Sequence, residues 1–152
     1  MNITKLPAKI LNSKIKPVSV DDIKNGSLKE LILDMKNVMK EHNGVGLAAN
    51  QVGKDLAIFI IEPKLAEESG APDVYINPEI TEYSKDKDEL EEGCLSIPEY
   101  YKLIIRAKKI KIKFIDENSE KRKLKARSFL ARVLQHETDH LNGLTITNRV
   151  KK

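Results

Sequence analysis

Two histidines near the C-terminus, His136 and His140, stand four residues apart, and Glu137 directly follows the first of them. On an α-helix, side chains four residues apart lie on one face, so both imidazoles can bind the same metal ion. Glu137 is rotated by about 100° from His136 and can lie beside a reacting water without binding the metal. This H-E-x-x-H pattern is typical of sites where two imidazoles bind a divalent cation and the glutamate is a general base. The alternative is a helix that carries two histidines by chance.

The residues around this pattern predict the helix itself. Apolar side chains recur at a spacing that fits 3.6 residues per turn: Leu130, Val133, Leu134 and Leu141. The same period places Glu137 and the histidines on the inward side of the helix. Ser128 is the expected N-cap, and Gly143 is the expected residue just beyond the C-terminal end. A buried carboxylate needs a partner, and a metal with its water would supply one.

A third metal ligand has to come from upstream. No residue after His140 is a histidine, cysteine, aspartate or glutamate, which argues against an ordinary zinc protease. Cys94 is the one cysteine of the chain, so it is a buried spare, a reactive thiol or a metal ligand. The need for an upstream ligand favours ligation. One thiolate and two imidazoles suit Zn²⁺ or Fe²⁺ and leave a fourth position for water, as in catalytic sites.

The length of 152 residues predicts a single domain, residues 1–152, with room for a hydrophobic core. A hydrophobic fraction of 40% and a charged fraction of 33% are typical of a globular protein with a heavily charged surface. No apolar run reaches the roughly 18 residues that span a bilayer, and the N-terminus lacks the apolar block of a secretory signal. We therefore expect a cytoplasmic protein.

The remaining secondary structure is predicted from periodicity and turn signals. Ser27 and Glu30 have the spacing of a capping box and open a helix that ends near Gly44. Strands are expected at residues 56–61, 74–78, 107–115 and 120–125, with a proline breaking the second of them. Residues 1–20 are expected to form an arm over the core, residues 62–73 a polar loop, and residues 85–92 a solvated loop or edge. Strands in one block between terminal helices predict an α+β fold, with mostly antiparallel sheets packed around the C-terminal metal-binding helix.

A segment of small residues, 44–53, lies between the first helix and the first strand. Its glycines let the backbone approach a neighbour closely. It has no G-K-[ST] sequence and no strand before it, so a nucleotide-binding loop is not indicated. Gln51 adds a side-chain amide that can donate a hydrogen bond to whatever the segment borders. Taken alone, the segment predicts no more than a tightly packed turn.

Three blocks of sequence together resemble the peptide deformylases, enzymes that remove the formyl group from the N-terminal formylmethionine of new bacterial and organellar proteins. The blocks are Gly44-Val45-Gly46-Leu47-Ala48-Ala49-Asn50-Gln51, Glu92-Gly93-Cys94-Leu95-Ser96 and Gln135-His136-Glu137-Thr138-Asp139-His140-Leu141. Each block is complete, and they follow the family order at fitting separations. The resemblance covers nearly the whole chain and implies a hydrolase that releases formate.

By this resemblance Cys94, His136 and His140 hold one divalent metal ion. The ion is natively Fe²⁺ in many members of the family, and Zn²⁺, Ni²⁺ or Co²⁺ can replace it. The metal would activate a water as hydroxide for attack on the formyl carbon. Glu137 would take the proton of that water and pass it to the departing amine.

The resemblance also implies the groups that meet the substrate. The side-chain amide of Gln51 and the backbone N–H of Leu95 would stabilise the oxyanion, and Gly46 belongs to the same catalytic group. Five residues would form the methionine pocket: Val45, Leu90, Phe129, Val133 and the ring of His136. Two positions depart from the family pattern. Many members carry an arginine at the position of Tyr101 and a glycine at that of Ser128.

The implied partner is the N-formylmethionyl end of a nascent chain, and neither DNA nor a membrane is an expected partner. We also expect a monomer. Lysines in residues 109–113 and 121–125 could lie against the ribosome surface, although solvated strand faces are the favoured interpretation. Two other functions stay open: a peptidase, on the H-E-x-x-H pattern alone, and a deformylase-like binding protein without activity, on the two departures.

Overall fold

The computed structural model describes residues 1–150 of the chain. The helices are α1 (Val20–Lys24), α2 (Lys29–Glu41), α3 (Pro63–Ser69) and α4 (Ser128–Leu141). The strands are β1 (Gly46–Ala48), β2 (Ile58–Ile61), β3 (Val74–Tyr83), β4 (Lys87–Cys94), β5 (Ile97–Ala107), β6 (Lys109–Ile115) and β7 (Lys121–Arg127). Short 3₁₀ helices lie at Lys9–Asn12, Ala49–Val52 and Ile146–Asn148.

The strands form two antiparallel sheets. One sheet has five strands in the order β1-β2-β3-β6-β7, and β4 and β5 form a separate two-stranded ribbon. Each pairing between these strands is antiparallel. Helix α4 packs against both the sheet and the ribbon, so the predicted α+β class with antiparallel sheets around the C-terminal helix is confirmed. No helix within residues 1–150 is long and apolar enough to cross a membrane.

The five-stranded sheet is covered on both faces at β2 and β3. Phe59 and Tyr75 lie in the core that α4 shares with the sheet. Ile58 and Ile60 alternate with Phe59 and lie in a second core, shared with α2. Successive side chains of a strand point to opposite faces. A strand buried on both faces therefore needs apolar residues at every position, which explains the continuous apolar run that predicts β2.

The β4–β5 ribbon is where prediction and structure differ most. Strand β4 occupies much of the stretch expected to be a solvated loop or edge, and the sequence pattern predicts no strand at β5. The buried side chains of the ribbon include Glu92 and Arg106, which pair with each other. Because charged residues occupy inward positions, the ribbon lacks the apolar alternation that reveals most half-buried strands.

Two further predictions about residues 62–83 are corrected. The expected polar loop contains α3, which begins at Pro63, a position where the missing N–H of proline has no consequence for the helix. Strand β3 does not stop at Pro78 but continues to Tyr83. The register with β6 shifts between Ile76 and Glu79, and such an irregularity tolerates a proline within a strand.

Both predicted N-caps are wrong. Helix α2 has Leu28 as its N-cap with no side-chain cap bond, and Ser27 Oγ instead donates to the carbonyl of an earlier turn. Ser128 is the first residue of α4 and has a φ of 58°, while Arg127 is the N-cap. The Ser128 N–H donates to the Lys108 carbonyl at 3.0 Å. The predicted end of α4 is confirmed, since Gly143 follows the helix with a φ of 77°.

The N-terminal residues form the expected arm over the core. Its backbone reaches the region of the small-residue segment, where the Thr4 N–H donates to the Gln51 carbonyl at 2.6 Å. Further along, the Leu6 N–H donates to the Ser96 carbonyl at 3.1 Å. The arm therefore fastens two loops that the sequence marks as candidate site segments.

Candidate active site and metal centre

Three potential metal ligands converge between α4 and the end of β4. Cys94 Sγ lies 3.3 Å from His140 Nε2, and the Nε2 atoms of His140 and His136 are 3.2 Å apart. The three donor atoms all lie within 4.8 Å of one another. Helix α4 presents both imidazoles on one face because they are four residues apart. The structure thus brings together the three residues that the sequence singles out as ligands.

The carboxylate of Glu92 orients His136. His136 Nδ1 lies 2.8 Å from Glu92 Oε1. An ionised carboxylate only accepts hydrogen bonds, so His136 Nδ1 is the donor and Nε2 faces Cys94 and His140. Burial opposes the charge on Glu92, but hydrogen bonds from His136 and Arg106 outweigh it and lower the pKa of Glu92 to about 2. Glu92 is therefore a fixed negative charge behind the ring.

The electrostatics around the metal-binding cluster, Cys94, His136 and His140, fit a divalent cation. Burial opposes a positive charge on His136, but hydrogen bonds to Cys94 and Glu92 raise its pKa to about 10. Surroundings that favour a proton there also favour a metal ion. Burial lowers the pKa of His140 well below its ordinary value, which keeps that ring neutral and able to ligate. Within residues 1–150, Glu137 Oε1 is buried without a hydrogen-bond partner, as expected of a group that faces a bound species.

Glu137 lies beside the three donor atoms, pressed against β1. Its Oε2 is 4.0 Å from His136 Nε2, and burial raises the pKa of Glu137 to about 7. A Cβ atom on Gly46 would lie only 2.6 Å from Glu137 Oε2. Only glycine at position 46 therefore leaves room for the carboxylate in this place. The predicted grouping of Gly46 with the catalytic residues thus has a steric basis.

Gln51 faces the same cluster from the small-residue segment. Its Nε2 donates to Ser96 Oγ at 3.1 Å and lies 3.4 Å from Cys94 Sγ. Its Oε1 accepts a bond of 3.0 Å from the Ala48 N–H. Both ends of the amide are thereby fixed, with the nitrogen toward the thiol. Leu95 directly follows Cys94 at the turn from β4 to β5, so its backbone belongs to the same corner.

Asn50 is a residue of this region that sequence reasoning does not single out. Its side chain is fully buried, and its Nδ2 donates to the backbone carbonyl of His140 at 2.6 Å. This bond ties the segment that carries Gln51 to the end of α4 that carries a potential ligand. The sequence gives a weak signal for it, since Asn50 and Gln51 are the two polar side chains within residues 44–53.

A buried ion-pair network lies behind His136, and the sequence pattern does not predict it. Arg106 donates to both oxygens of Glu92, at 2.7 and 3.0 Å, and to Asp139 Oδ2 at 2.8 Å. Arg132 also bonds Glu92, and it donates to Asp88 Oδ1 at 2.7 Å. On α4, Arg132 and Asp139 lie seven residues apart and share the face of the histidines. That spacing of charges on an inward face is the signal that could reveal the network.

A cavity of about 670 Å³ opens beside the cluster. Four of the five residues predicted for the methionine pocket line it: Val45, Phe129, Val133 and His136. The fifth, Leu90, is not among its lining residues within the described chain. Leu90 lies opposite Ile104 in the ribbon and is 47% exposed. Tyr101 lines the cavity and packs on Gly93, where a Cβ atom would lie 2.5 Å from the ring.

An α+β fold around an H-E-x-x-H helix, with a cysteine beside the histidines and a buried glutamate, is typical of metal-dependent hydrolases. The sequence model of the family described as polypeptide deformylase matches residues 1–152, and the chain belongs to this family of enzymes. Peptide deformylases are metalloenzymes that act on formylated nascent peptides.

Individual relatives agree with this assignment. A peptide deformylase 1 of Clostridium perfringens is 49% identical over 125 residues, which cover 82% of this chain and 82% of that protein. The crystal structure of peptide deformylase from Thermotoga maritima has a TM-score of 0.88 at 37% identity, covering 99% of this chain and 97% of that one. A class I type b peptide deformylase from Acinetobacter baumannii with bound Met-Ala-Ser has a TM-score of 0.89 at 34% identity, covering 99% and 98%.

Proposed function

We propose that this protein removes the formyl group from the N-terminal formylmethionine of nascent proteins and releases formate. The observation that carries the proposal is the convergence of Cys94, His136, His140, Glu137 and Gln51 beside one cavity. Family membership supports the type of reaction. The Met-Ala-Ser bound to the Acinetobacter relative supports it too, because that peptide begins with methionine.

Cys94, His136 and His140 would hold one divalent ion, with Fe²⁺ as the native metal and Zn²⁺, Ni²⁺ or Co²⁺ as substitutes. When bound, such an ion supplies a Lewis acid that lowers the pKa of water and polarises a carbonyl oxygen. The bond from His136 Nδ1 to Glu92 supports this ligand set, because a carboxylate behind an imidazole fixes the ring and makes it a stronger ligand.

Glu137 would carry the proton. Burial raises the pKa of this carboxylate, which suits a group that accepts a proton from the attacking water and returns it to the departing amine. Its position against Gly46 keeps it beside the donor atoms. The unpartnered Oε1 supports the assignment, since a buried carboxylate oxygen without a partner within residues 1–150 is free to meet water.

Gln51 and the backbone N–H of Leu95 would stabilise the oxyanion that forms as the formyl carbon is attacked. Bonds to Ser96 and Ala48 hold the Gln51 amide before any substrate arrives. A donor placed in advance needs no reorganisation during the reaction, and each such donor typically contributes about 3 kcal/mol.

The cavity would receive the methionine side chain. Val45, Phe129, Val133 and the ring of His136 line it, and an apolar wall suits the flexible thioether. The place of Leu90 in the methionine pocket stays a prediction, because Leu90 is not among the described residues that line the cavity. The single catalytic domain 1–152, the cytoplasmic location, the monomeric state and a contact with the ribosome surface also stay predictions.

The decisive experiment measures formate released from an N-formyl-Met tripeptide by protein purified without air, with the metal content read on the same sample. We expect rapid release that a chelator abolishes. Glu137→Ala should keep the metal and lower turnover by about 10²- to 10⁴-fold, because proton transfer loses its carrier. Glu41→Ala, which removes an exposed glutamate at the end of α2, is the control and should react like the parent.

Each alternative has its own result in this assay. Cleavage of unformylated peptides at comparable rates would favour a peptidase. Full metal occupancy without formate would favour a binding protein, and Tyr101→Arg would then be the first reversion to make. Metal content that is unchanged in Cys94→Ala would remove Cys94 from the ligand set.

A further inference from the structure

The C-terminal segment, residues 142–150, follows α4 and contacts the metal-binding region at two points. Arg149 Nε and Nη2 donate to the two oxygens of Asp139, at 3.0 and 2.9 Å. The next residue, Val150, forms an antiparallel bridge with Ile104 of β5. A fork of two parallel hydrogen bonds fixes the orientation of a carboxylate as well as its position. The C-terminal segment is therefore fastened to α4 and to the ribbon at once.

A continuous chain of ion pairs leads from Arg149 to the metal-binding cluster. Asp139 Oδ2 accepts from Arg106 at 2.8 Å, and Arg106 donates two bonds to Glu92, at 2.7 and 3.0 Å. Glu92 in turn accepts from His136 Nδ1 at 2.8 Å. Arg106 and Glu92 are 5% and 8% exposed, so water does not screen these contacts as it screens surface pairs.

The second point of attachment leads to the same carboxylate. Ile104, which pairs with Val150, accepts a bond of 3.0 Å from Arg132 Nη1 at its carbonyl. Arg132 also bonds Glu92 directly. Both contacts of the C-terminal segment are therefore connected to Glu92, one through Arg106 and the other through Arg132. Glu92 is the group that orients His136.

We propose that Arg149 is a positioning residue, through which the C-terminal segment sets the orientation of His136 and thereby the affinity and geometry of the metal site. Without Arg149, the carboxylate of Asp139 keeps Arg106 as its charged partner. Arg106 is shared between Asp139 and Glu92, so it is drawn toward Asp139 and holds Glu92 less firmly. The inference rests on the metal centre of the proposed function but not on its formylated substrate.

The test compares Arg149→Met with a matched variant elsewhere. Arg122 is the control, because its side chain is 43% exposed against 45% for Arg149, and each arginine pairs with a buried aspartate. Arg122 pairs with Asp116 at the β6–β7 turn, in a separate ion pair. Co²⁺ affinity is measured by competition with a coloured chelator. The absorption bands of bound Co²⁺ report the ligand geometry, and urea unfolding of the metal-free protein reports stability.

We expect Arg149→Met to bind Co²⁺ about 3- to 10-fold more weakly and to shift its absorption bands, a smaller loss than the 10- to 100-fold typical of direct partners of a ligand. Arg122→Met should have the affinity and bands of the parent, although both variants lower the urea midpoint. Arg149→Lys should recover part of the affinity, because it restores the charge without the fork.

Parent-like affinity and bands in Arg149→Met would overturn the proposal, and so would an equal loss in Arg122→Met, which would indicate general destabilisation. A parent protein that binds no Co²⁺ would remove the metal centre and the inference together. A parent that binds Co²⁺ but releases no formate would refute the proposed reaction and leave the role of Arg149 intact.

Discussion

Helix α4 has two buried faces that are built in opposite ways. The face toward the five-stranded sheet is apolar: Leu130 and Leu134 pack in one core with Phe59 and Tyr75. Leu134 is fully buried. The Phe59 and Tyr75 rings stack with their centroids 4.8 Å apart. This face is held by apolar burial, which has no preferred direction.

The face toward the β4–β5 ribbon is charged. Arg132, His136 and Asp139 meet Glu92 and Arg106 there, and the four carboxylate and guanidinium groups are each less than 10% exposed as residues. Charge-assisted hydrogen bonds have fixed lengths and angles. Such a face adds little net stability over an apolar one of the same shape, because its charges lose their hydration. It does fix the direction of each side chain.

The two faces therefore have different roles. The apolar face attaches α4 to the sheet, and the charged face orients the imidazole of His136. If this division is correct, a change on the charged face should alter both stability and metal binding. A change on the apolar face should alter stability alone.

The largest effect is expected for Glu92→Gln, on the charged face. The change keeps the shape but leaves Arg106 and Arg132 buried with one negative charge fewer between them. We expect the free energy of unfolding of the metal-free protein to fall by about 3–5 kcal/mol, as when a buried pair loses one partner. Metal affinity should fall by about 10- to 100-fold because the acceptor behind His136 loses its negative charge.

Urea unfolding and Co²⁺ competition measure the two quantities for Glu92→Gln. Glu91→Gln is the control, since Glu91 is the adjacent residue of β4 and its side chain is exposed. The division between the faces would be wrong if Glu92→Gln lost stability yet bound Co²⁺ like the parent.

The next effect is expected for Leu134→Ala, on the apolar face. Removing a fully buried leucine leaves a cavity among Phe59 and Tyr75, and we expect a loss of about 2–4 kcal/mol in the free energy of unfolding. The folded protein should still bind Co²⁺ with the affinity of the parent, because the contacts of His136 are untouched. Weaker Co²⁺ binding, measured below the temperature at which the variant begins to unfold, would show that the faces are coupled.

The sequence predicts the apolar face much better than the charged one, for a physical reason. Helix periodicity and the spacing of His136 and His140 are local, so a short window of sequence contains them. The charged face depends on pairs that are distant in the chain, since Glu92 is 14 residues from Arg106 and 40 from Arg132. A pattern of single residues does not show which distant charges meet.

The same reason explains the errors at the ribbon. Strand β4 has charges at both exposed and inward positions, so its composition indicates a solvated loop or edge. Residues 87–91 are indeed exposed, and only the buried Glu92 depends on Arg106 and Arg132, which face it. The three potential ligands are found from the sequence because metal chemistry restricts them to few residue types. Glu92 lies within a recognised block, but its role depends on a neighbour in space.

The smallest effect is expected where α4 begins, at a position that belongs to neither face. Ser128 has a φ of 58°, a conformation that disfavours a residue with a Cβ atom by about 1 kcal/mol or more. Ser128→Gly removes this strain but makes the unfolded chain more flexible. We expect a net gain of roughly 0.5 kcal/mol in the free energy of unfolding, and unchanged Co²⁺ affinity. Ser119→Gly, with a φ of 65° at the β6–β7 turn, is the comparison; it also removes the bond of 3.3 Å from Ser119 Oγ to the Ile23 carbonyl, so its gain should be smaller. A change in Co²⁺ affinity in Ser128→Gly alone would mean that the start of α4, and not only its charged face, sets the position of the histidines.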